Sequence, residues 1–168
     1  MSGPNFETKA LFVDRDGVLD FERSDYVKSI EELKIVPGAC EKISRFAKDF
    51  PFVIMITNQS VVGRGIISDE KLREINEAVR YEFFRRTGRK IDAVYYCPHR
   101  PDEGCSCRKP KTLLFQKASV DFHLDLKKCV FIGDKQTDEE AARRIGCGFI
   151  RVKTNTSEII SKEPVSTT

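Results

Sequence analysis

The chain has 168 residues, 40% of them hydrophobic and 33% charged, with a formal net charge of +3. That length supports a domain with a real core, and that apolar content excludes a disordered chain. There is no basic stripe interleaved with aromatics and no apolar run long enough to cross a bilayer, which argues against nucleic-acid and membrane partners.

The N-terminal stretch MSGPNFETK lacks the apolar centre of a signal peptide, so a cytoplasmic setting with reduced thiols is expected. The first buried strand is expected over 10–13 (ALFV) and runs directly into Asp14, Arg15, Asp16 and Gly17. Carboxylates that close repel, and each costs free energy to desolvate, so the pair calls for a compensating cation. A helix is expected from about 38 to 49, after Pro37, followed by a strand over 52–56 (FVIMI). That strand leads into Thr57, Asn58, Gln59 and Ser60, which read locally as a turn; the Thr57 hydroxyl and the Asn58 amide can both bond a phosphoryl oxygen. Ser68 is a good N-cap for a helix that carries Leu72, Ile75, Val79 and Phe83 on one face. Arg85, Arg86, Arg89 and Lys90 at its far end suit the negative pole of the helix dipole.

A third strand, 93–97 (AVYYC), opens the segment CPHRPDEGCSCRKPK. Cys97, His99, Cys105 and Cys107 place soft and borderline ligands at a spacing that suits tetrahedral Zn²⁺, in a closed and therefore structural site. Lys109 lies between these ligands and Pro110, in a segment stiffened from both sides, as a point cation for a phosphate. A helix starts near Thr112, and His123 near its end reads as a surface or capping group. A fourth strand over 129–133 ends in GDKQTD, which brings Asp134 and Asp138; a helix from near Thr137 closes at Gly146. A fifth strand covers 147–152, and the polar tail from about 161 is expected to fray. Cys40, Cys129 and Cys147 read as small core residues.

Strands and helices alternate, so the fold class is α/β, a Rossmann-like three-layer sandwich with a mainly parallel sheet. Ligands of such sheets bind beyond the carboxyl ends of the strands, where Asp14, Asp16, Asp134 and Asp138 collect. Carboxylates at that density suit a hard cation such as Mg²⁺.

DRDGV, TNQS, CRKPK and GDKQTD, in that order, resemble the motifs of haloacid-dehalogenase-superfamily phosphatases over about 10–152. The resemblance implies a nearly capless single domain over 1–168, with a zinc loop at 97–107, that hydrolyses a small phosphorylated sugar. It implies that Asp14 is the nucleophile and Asp16 the general acid–base, and that Mg²⁺ binds Asp14, the carbonyl of Asp16, and Asp134. Thr57, Asn58, Gln59, Ser60 and Lys109 would bind the transferred phosphoryl group, and Arg108 a remote phosphate, with Arg64 a weaker second candidate. The zinc loop is similar to that of the branch holding the heptose bisphosphate phosphatases and the histidinol-phosphate phosphatases. TNQSVVGRGIIS and GDK lean to the former and the short His99–Cys105 spacing to the latter, while Val61 and Val62 stand where the former usually carry Gly-Ile. The expected substrate is D-glycero-D-manno-heptose 1,7-bisphosphate, with histidinol phosphate as the alternative. A binding domain without turnover is a further reading, opposed by the intact motif residues. No hydrophobic interface stripe stands out, so a monomer is the default expectation.

Overall fold

The computed structural model describes residues 6–164. Residues 1–5 and 165–168 carry part of the stretch read as lacking a leader and the end of the expected fraying tail; those readings lie outside the described residues. The strands are β1 (Ala10–Val13), β2 (Phe52–Asn58), β3 (Ala93–Cys97), β4 (Val130–Gly133), β5 (Gly148–Val152) and β6 (Ile159–Glu163). The helices are α1 (Ala39–Phe46), α2 (Ser60–Gly63), α3 (Asp69–Thr87), α4 (Leu113–Phe122) and α5 (Gln136–Ile145). The strands form one sheet in the order β3-β2-β1-β4-β5-β6, parallel except for β6, which runs antiparallel to β5.

The short apolar runs become strands; β1, β2, β4 and β5 are buried on both faces, as parallel strands covered by helices must be, while β3 at the sheet edge is only partly buried. Alternate side chains go to opposite cores. Phe12, Ile54, Ile56, Phe131 and Phe149 pack with Leu114, Phe115 and Ala118 of α4 and with Ala141 and Ala142 of α5. Leu11, Val13, Val53, Met55, Ile132 and Ile150 pack with Cys40 and Ile43 of α1 and with Val79 and Phe83 of α3. In the first core, Phe115 meets Phe12 at 5.1 Å and Phe131 at 5.2 Å between ring centroids, and Phe131 meets Phe149 at 5.8 Å, all edge-to-face. Ser68 caps α3 as expected, its hydroxyl accepting from the Lys71 amide at 3.1 Å. The predicted apolar face of Leu72, Ile75, Val79 and Phe83 is fully buried.

Two boundaries differ from the sequence reading. β2 continues through Thr57 and Asn58, which pair with Tyr96 and Cys97 of β3. The TNQS stretch is therefore the end of a strand and the start of α2, because pairing with β3 carries polar residues that local propensity assigns to a turn. The tail expected to fray from about 161 instead forms β6 through Glu163 and pairs with β5. Pairing with β5 orders its polar end, and Ile159 at its start packs against the second core.

The chain runs from β1 outward to β2 and β3, then returns to place β4 on the other side of β1. The reversal leaves a crevice beyond the carboxyl ends of β1 and β4, the general ligand position in open α/β sheets.

Phe131 makes ring contacts with Phe115 and Phe149 and sits in register beside Phe12 of β1. Phe131→Ala should cost about 3–5 kcal/mol of stability through lost burial and the cavity left behind. The shift of the urea midpoint at unchanged slope measures it, and a loss below about 1 kcal/mol would show that the stack contributes little.

Candidate active site

At the crevice, one buried cation organises the carboxylates. Lys109 is 3% exposed, and its Nζ lies 3.0 Å from Asp14 Oδ1, 2.8 Å from Asp138 Oδ1 and 3.0 Å from the carbonyl of Ile56. The ammonium thus donates a hydrogen bond to the Ile56 carbonyl and forms ion pairs with both carboxylates. Below it, the Phe131 ring centroid is 5.2 Å away. Burial works against the charged ammonium, yet the charges of Asp138 and Asp14 outweigh it and raise the Lys109 pKa. Burial pushes the Asp14 carboxyl well above the usual carboxylate range, and Asp138 adds to the rise, while Lys109 pulls it back.

The backbone of Lys109 is fixed as firmly as its side chain. Its amide donates to Asn58 Oδ1 at 3.0 Å, and its carbonyl accepts from Asn58 Nδ2 at 3.2 Å. Both polar atoms of the Asn58 side chain are therefore engaged with the lysine segment. The end of β2 thus clamps the strip that carries the cation, and the Asn58 amide, which has a second N–H, also lines the cavity.

Asp138 lies in the first turn of α5, where an acid suits the helix N-terminus. Its Oδ2 accepts from the amides of Asp134 and Lys135 at 3.1 Å each. Its other oxygen faces Lys109, and the side chain is 1% exposed, so it joins the site as well. Gly133 allows this, because a Cβ there would come within 2.6 Å of the Asp138 side chain.

Asp16 sits on the cavity side with 24% of its side chain exposed. Gln59 Nε2 donates to its Oδ2 at 2.5 Å and to Thr57 Oγ1 at 2.9 Å. Arg15 donates to its Oδ1 at 2.9 Å. Asp134 is 8% exposed; its Oδ2 accepts from the Thr154 hydroxyl at 2.7 Å, while its buried Oδ1 has no hydrogen-bond partner. Burial raises the Asp134 carboxyl as well. Gly17, at φ 85°, turns the chain after Asp16 and leaves room for Asp134, whose carboxylate a Cβ would strike.

Asp14, Asp134 and Asp138 each bring a carboxylate oxygen to within 4.8 Å of the others. An all-oxygen donor set with an unpartnered buried oxygen fits a hard divalent cation. Asp14 and Asp138 open onto a cavity of about 520 Å³ that Asp16, Asn58, Gln59, Ser60 and Lys109 also line. Arg64, Arg108, Arg23 and Lys135 line its outer wall. Arg108 Nη1 donates to the carbonyl of His99 at 3.4 Å, which ties it to the neighbouring loop.

That loop gathers the second predicted cluster. Cys97 Sγ lies 3.1 Å from Cys107 Sγ, 3.6 Å from Cys105 Sγ and 3.5 Å from His99 Nδ1, and His99 Nδ1 is 3.2 Å from Cys107 Sγ. Ligands of a tetrahedral zinc at about 2.0–2.3 Å stand roughly 3.3–3.8 Å apart, so the four atoms approximate such a site. Burial opposes ionisation of Cys105, yet the amides of Arg108 and Cys107 pull its thiol down to about 6. Cys40, Cys129 and Cys147 are buried in the cores as expected. His123 ends α4 in a left-handed backbone conformation at φ 54°, which agrees with a capping position.

Arg15, Asn76 and Thr154 touch this constellation and were absent from the sequence reading. Arg15 stands inside the first motif, and Asn76 interrupts the apolar stripe of α3. Nothing local marks Thr154, which arrives from beyond β5.

A doubly wound sheet that gathers aspartates around one buried lysine at its switch point is the layout of a haloacid-dehalogenase-like hydrolase. A family model described as HAD-hydrolase-like matches residues 106–164. The probable D-glycero-D-manno-heptose-1,7-bisphosphate 7-phosphatase of Thermoplasma volcanium is 36% identical over 142 residues, 84% of this chain and 96% of that protein. The D-glycero-beta-D-manno-heptose-1,7-bisphosphate 7-phosphatase of Pseudomonas aeruginosa is 36% identical over 144 residues, 86% of this chain and 80% of that protein. The crystal structure of D,D-heptose 1,7-bisphosphate phosphatase from B. bronchiseptica, complexed with magnesium and phosphate, matches with a TM-score of 0.80 at 32% identity, covering 89% of this chain and 83% of that one. The chain belongs to the heptose bisphosphate phosphatase family of haloacid-dehalogenase-like hydrolases.

Lys109→Met should leave Asp14 and Asp138 buried without their counter-charge. Loss of one partner from a buried ion pair costs about 3–5 kcal/mol. Denaturant unfolding in metal-free buffer should show that loss, with part of it recovered when Mg²⁺ is added. Wild-type stability in Lys109→Met would mean that the carboxylates do not depend on it.

Proposed function

We propose that the protein is a Mg²⁺-dependent phosphatase that removes the 7-phosphate of D-glycero-D-manno-heptose 1,7-bisphosphate and leaves the heptose 1-phosphate. The observation that carries the proposal is the buried Lys109 ammonium bridging Asp14 and Asp138 beside Asp16. An anionic nucleophile meets an anionic ester only where positive charge offsets both.

Asp14 attacks phosphorus and forms an aspartyl-phosphate as the ester P–O bond breaks. Asp16 gives its proton to the leaving oxygen, then takes one from the water that hydrolyses the aspartyl-phosphate. Lys109 and Thr57 hold the charge on the phosphoryl oxygens, Asn58 holds Lys109 in place, and Gln59 orients Asp16. Ser60, at the start of α2, lines the phosphoryl pocket. Asp14, the carbonyl of Asp16, and Asp134 would hold Mg²⁺, with Asp138 beside them. When bound, the ion supplies a positive charge that lets the ester approach. Arg108 and Arg64, on the outer wall of the cavity, suit the remote phosphate, since a guanidinium binds phosphate through paired donors. The names of the similar proteins favour the heptose bisphosphate over histidinol phosphate. Cys97, His99, Cys105 and Cys107 hold a structural Zn²⁺, and the reduced thiols this requires suit the cytoplasm.

Phosphate release from both candidate substrates, with and without Mg²⁺, tests the reading. The wild type should act on the heptose bisphosphate with the higher kcat/KM and only with the metal. Asp14→Asn should keep the fold and lose turnover, because an amide cannot attack phosphorus. Retained activity in that variant would rule out the covalent route.

Cys105→Ser should release the zinc and loosen the strip that holds Arg108 and Lys109. Metal analysis should show close to one equivalent of zinc in the wild type and less in the variant, with melting temperature and turnover both reduced. A zinc-free wild type with full activity would show that the cysteines only pack.

A further inference from the structure

Arg15 stands between the two aspartates of the first motif, and its side chain is 1% exposed. Neither Arg15 nor Asn76 lines the cavity, so contact with substrate does not account for them. Burying a guanidinium is expensive unless its donors are matched. Here Nη2 donates to Asp16 Oδ1 at 2.9 Å and Nη1 donates to Asn76 Oδ1 at 3.0 Å, while Nε makes no hydrogen bond and forms only an ion pair with Asp20 Oδ2 at 3.4 Å. Asn76 is 3% exposed and occupies the apolar stripe of α3 among Leu72, Ile75, Val79 and Phe83. A core-facing asparagine is costly in such a stripe, and its carbonyl oxygen is spent on Arg15. Asp20 is fully buried on the third side.

We propose that Arg15 is a positioning residue that fixes the carboxyl of Asp16 for proton transfer, with Asn76 as its anchor in α3. The inference rests on the role given to Asp16 under the proposed function. A planar guanidinium held at several points fixes the direction of its remaining donors, which a flexible ammonium does not. Gln59 bonds the other oxygen of Asp16, so the carboxyl is held from two sides. Gln59 lines the cavity and Arg15 does not, so Gln59 can adjust to a substrate while Arg15 supplies the rigid support. Proton transfer is sensitive to placement at the ångström level.

The leaving group separates this role from a purely structural one. A sugar phosphate expels an alkoxide, which needs the Asp16 proton as the P–O bond breaks. 4-Nitrophenyl phosphate expels a stabilised phenolate, which leaves with little help from an acid. kcat/KM reads the steps through departure of the alcohol, so a misplaced acid lowers it selectively for the sugar phosphate. Arg15→Gln should lower kcat/KM on the heptose bisphosphate by about 10²-fold, and on 4-nitrophenyl phosphate by less than about 10-fold. Arg15→Lys should recover only part of the loss. Asn76→Ala leaves every charge in place, and should show the same selectivity at roughly a few-fold to tenfold; it decides the matter if Arg15→Gln does not fold. Equal losses on the two esters, or an Asn76→Ala enzyme unchanged on both, would overturn the role of Arg15 and leave the phosphatase reading standing. A wild type inactive on both esters would overturn both.

Discussion

The site depends on where one ammonium group can be placed. Asp14 comes from the end of β1, Asp138 from the first turn of α5 and the Ile56 carbonyl from β2, and Lys109 Nζ meets all of them within 3.0 Å. These segments would otherwise present like charges and a bare carbonyl to one crevice. The cation turns a repulsive edge into a stable one without filling the cavity. Two ion pairs and the hydrogen bond to the Ile56 carbonyl hold Lys109 at a fixed point before any ligand arrives. Such preorganised charge needs no rearrangement when negative charge builds on a bound group.

A lysine placed that way needs its backbone fixed, and the Cys/His loop and the end of β2 do this together. Cys97 closes β3, its carbonyl accepts from the Gln59 amide at 2.7 Å, and Cys107 stands two residues before Lys109. Asn58 then closes on the Lys109 backbone from the other side. Between β3 and α4 the only regular structure is a single short turn at Pro101–Glu103, so ordering the segment costs considerable conformational entropy. A metal cross-link held by Cys97, His99, Cys105 and Cys107 would offset that cost. Zinc placed there would contribute to chemistry only through the position of Lys109 and its neighbour Arg108.

The strands buried on both faces were legible because each is a short, continuous apolar run, and the stripe of α3 because its period is helical. The Cys/His cluster and the aspartates were legible because their residue types are rare in such patterns. The rest was hidden where a side chain's partner lies far along the chain. The bonds of Asn58 to the Lys109 backbone come from a segment fifty-one positions away. Asp138 looked like a choice between a helix cap and a site residue, and it is both, one oxygen serving each purpose. The polar end of β6, Ser161 to Glu163, is ordered by pairing with β5 on an exposed edge. The one local clue that went unused was Asn76, a polar residue set in an apolar helical stripe.

Asp14 and Asp16 are the same side chain two positions apart, yet their surroundings differ in kind. Asp14 is deep, bonded by the Arg15 amide at 2.8 Å and paired with Lys109. Asp16 is partly exposed, and neutral and cationic donors from Gln59 and Arg15 hold it at the cavity wall. Carboxylates in contrasting environments take on different tasks. A group that attacks must be desolvated and held against positive charge, whereas a group that carries protons must reach both the leaving oxygen and water. The motif meets both needs by turning at Gly17, which leaves Asp16 at the mouth and Asp14 at the floor. The residue between them points away from the cavity, and its length brings the guanidinium back to Asp16 from behind. The alternation that puts two acids on one side thus also puts their support on the other.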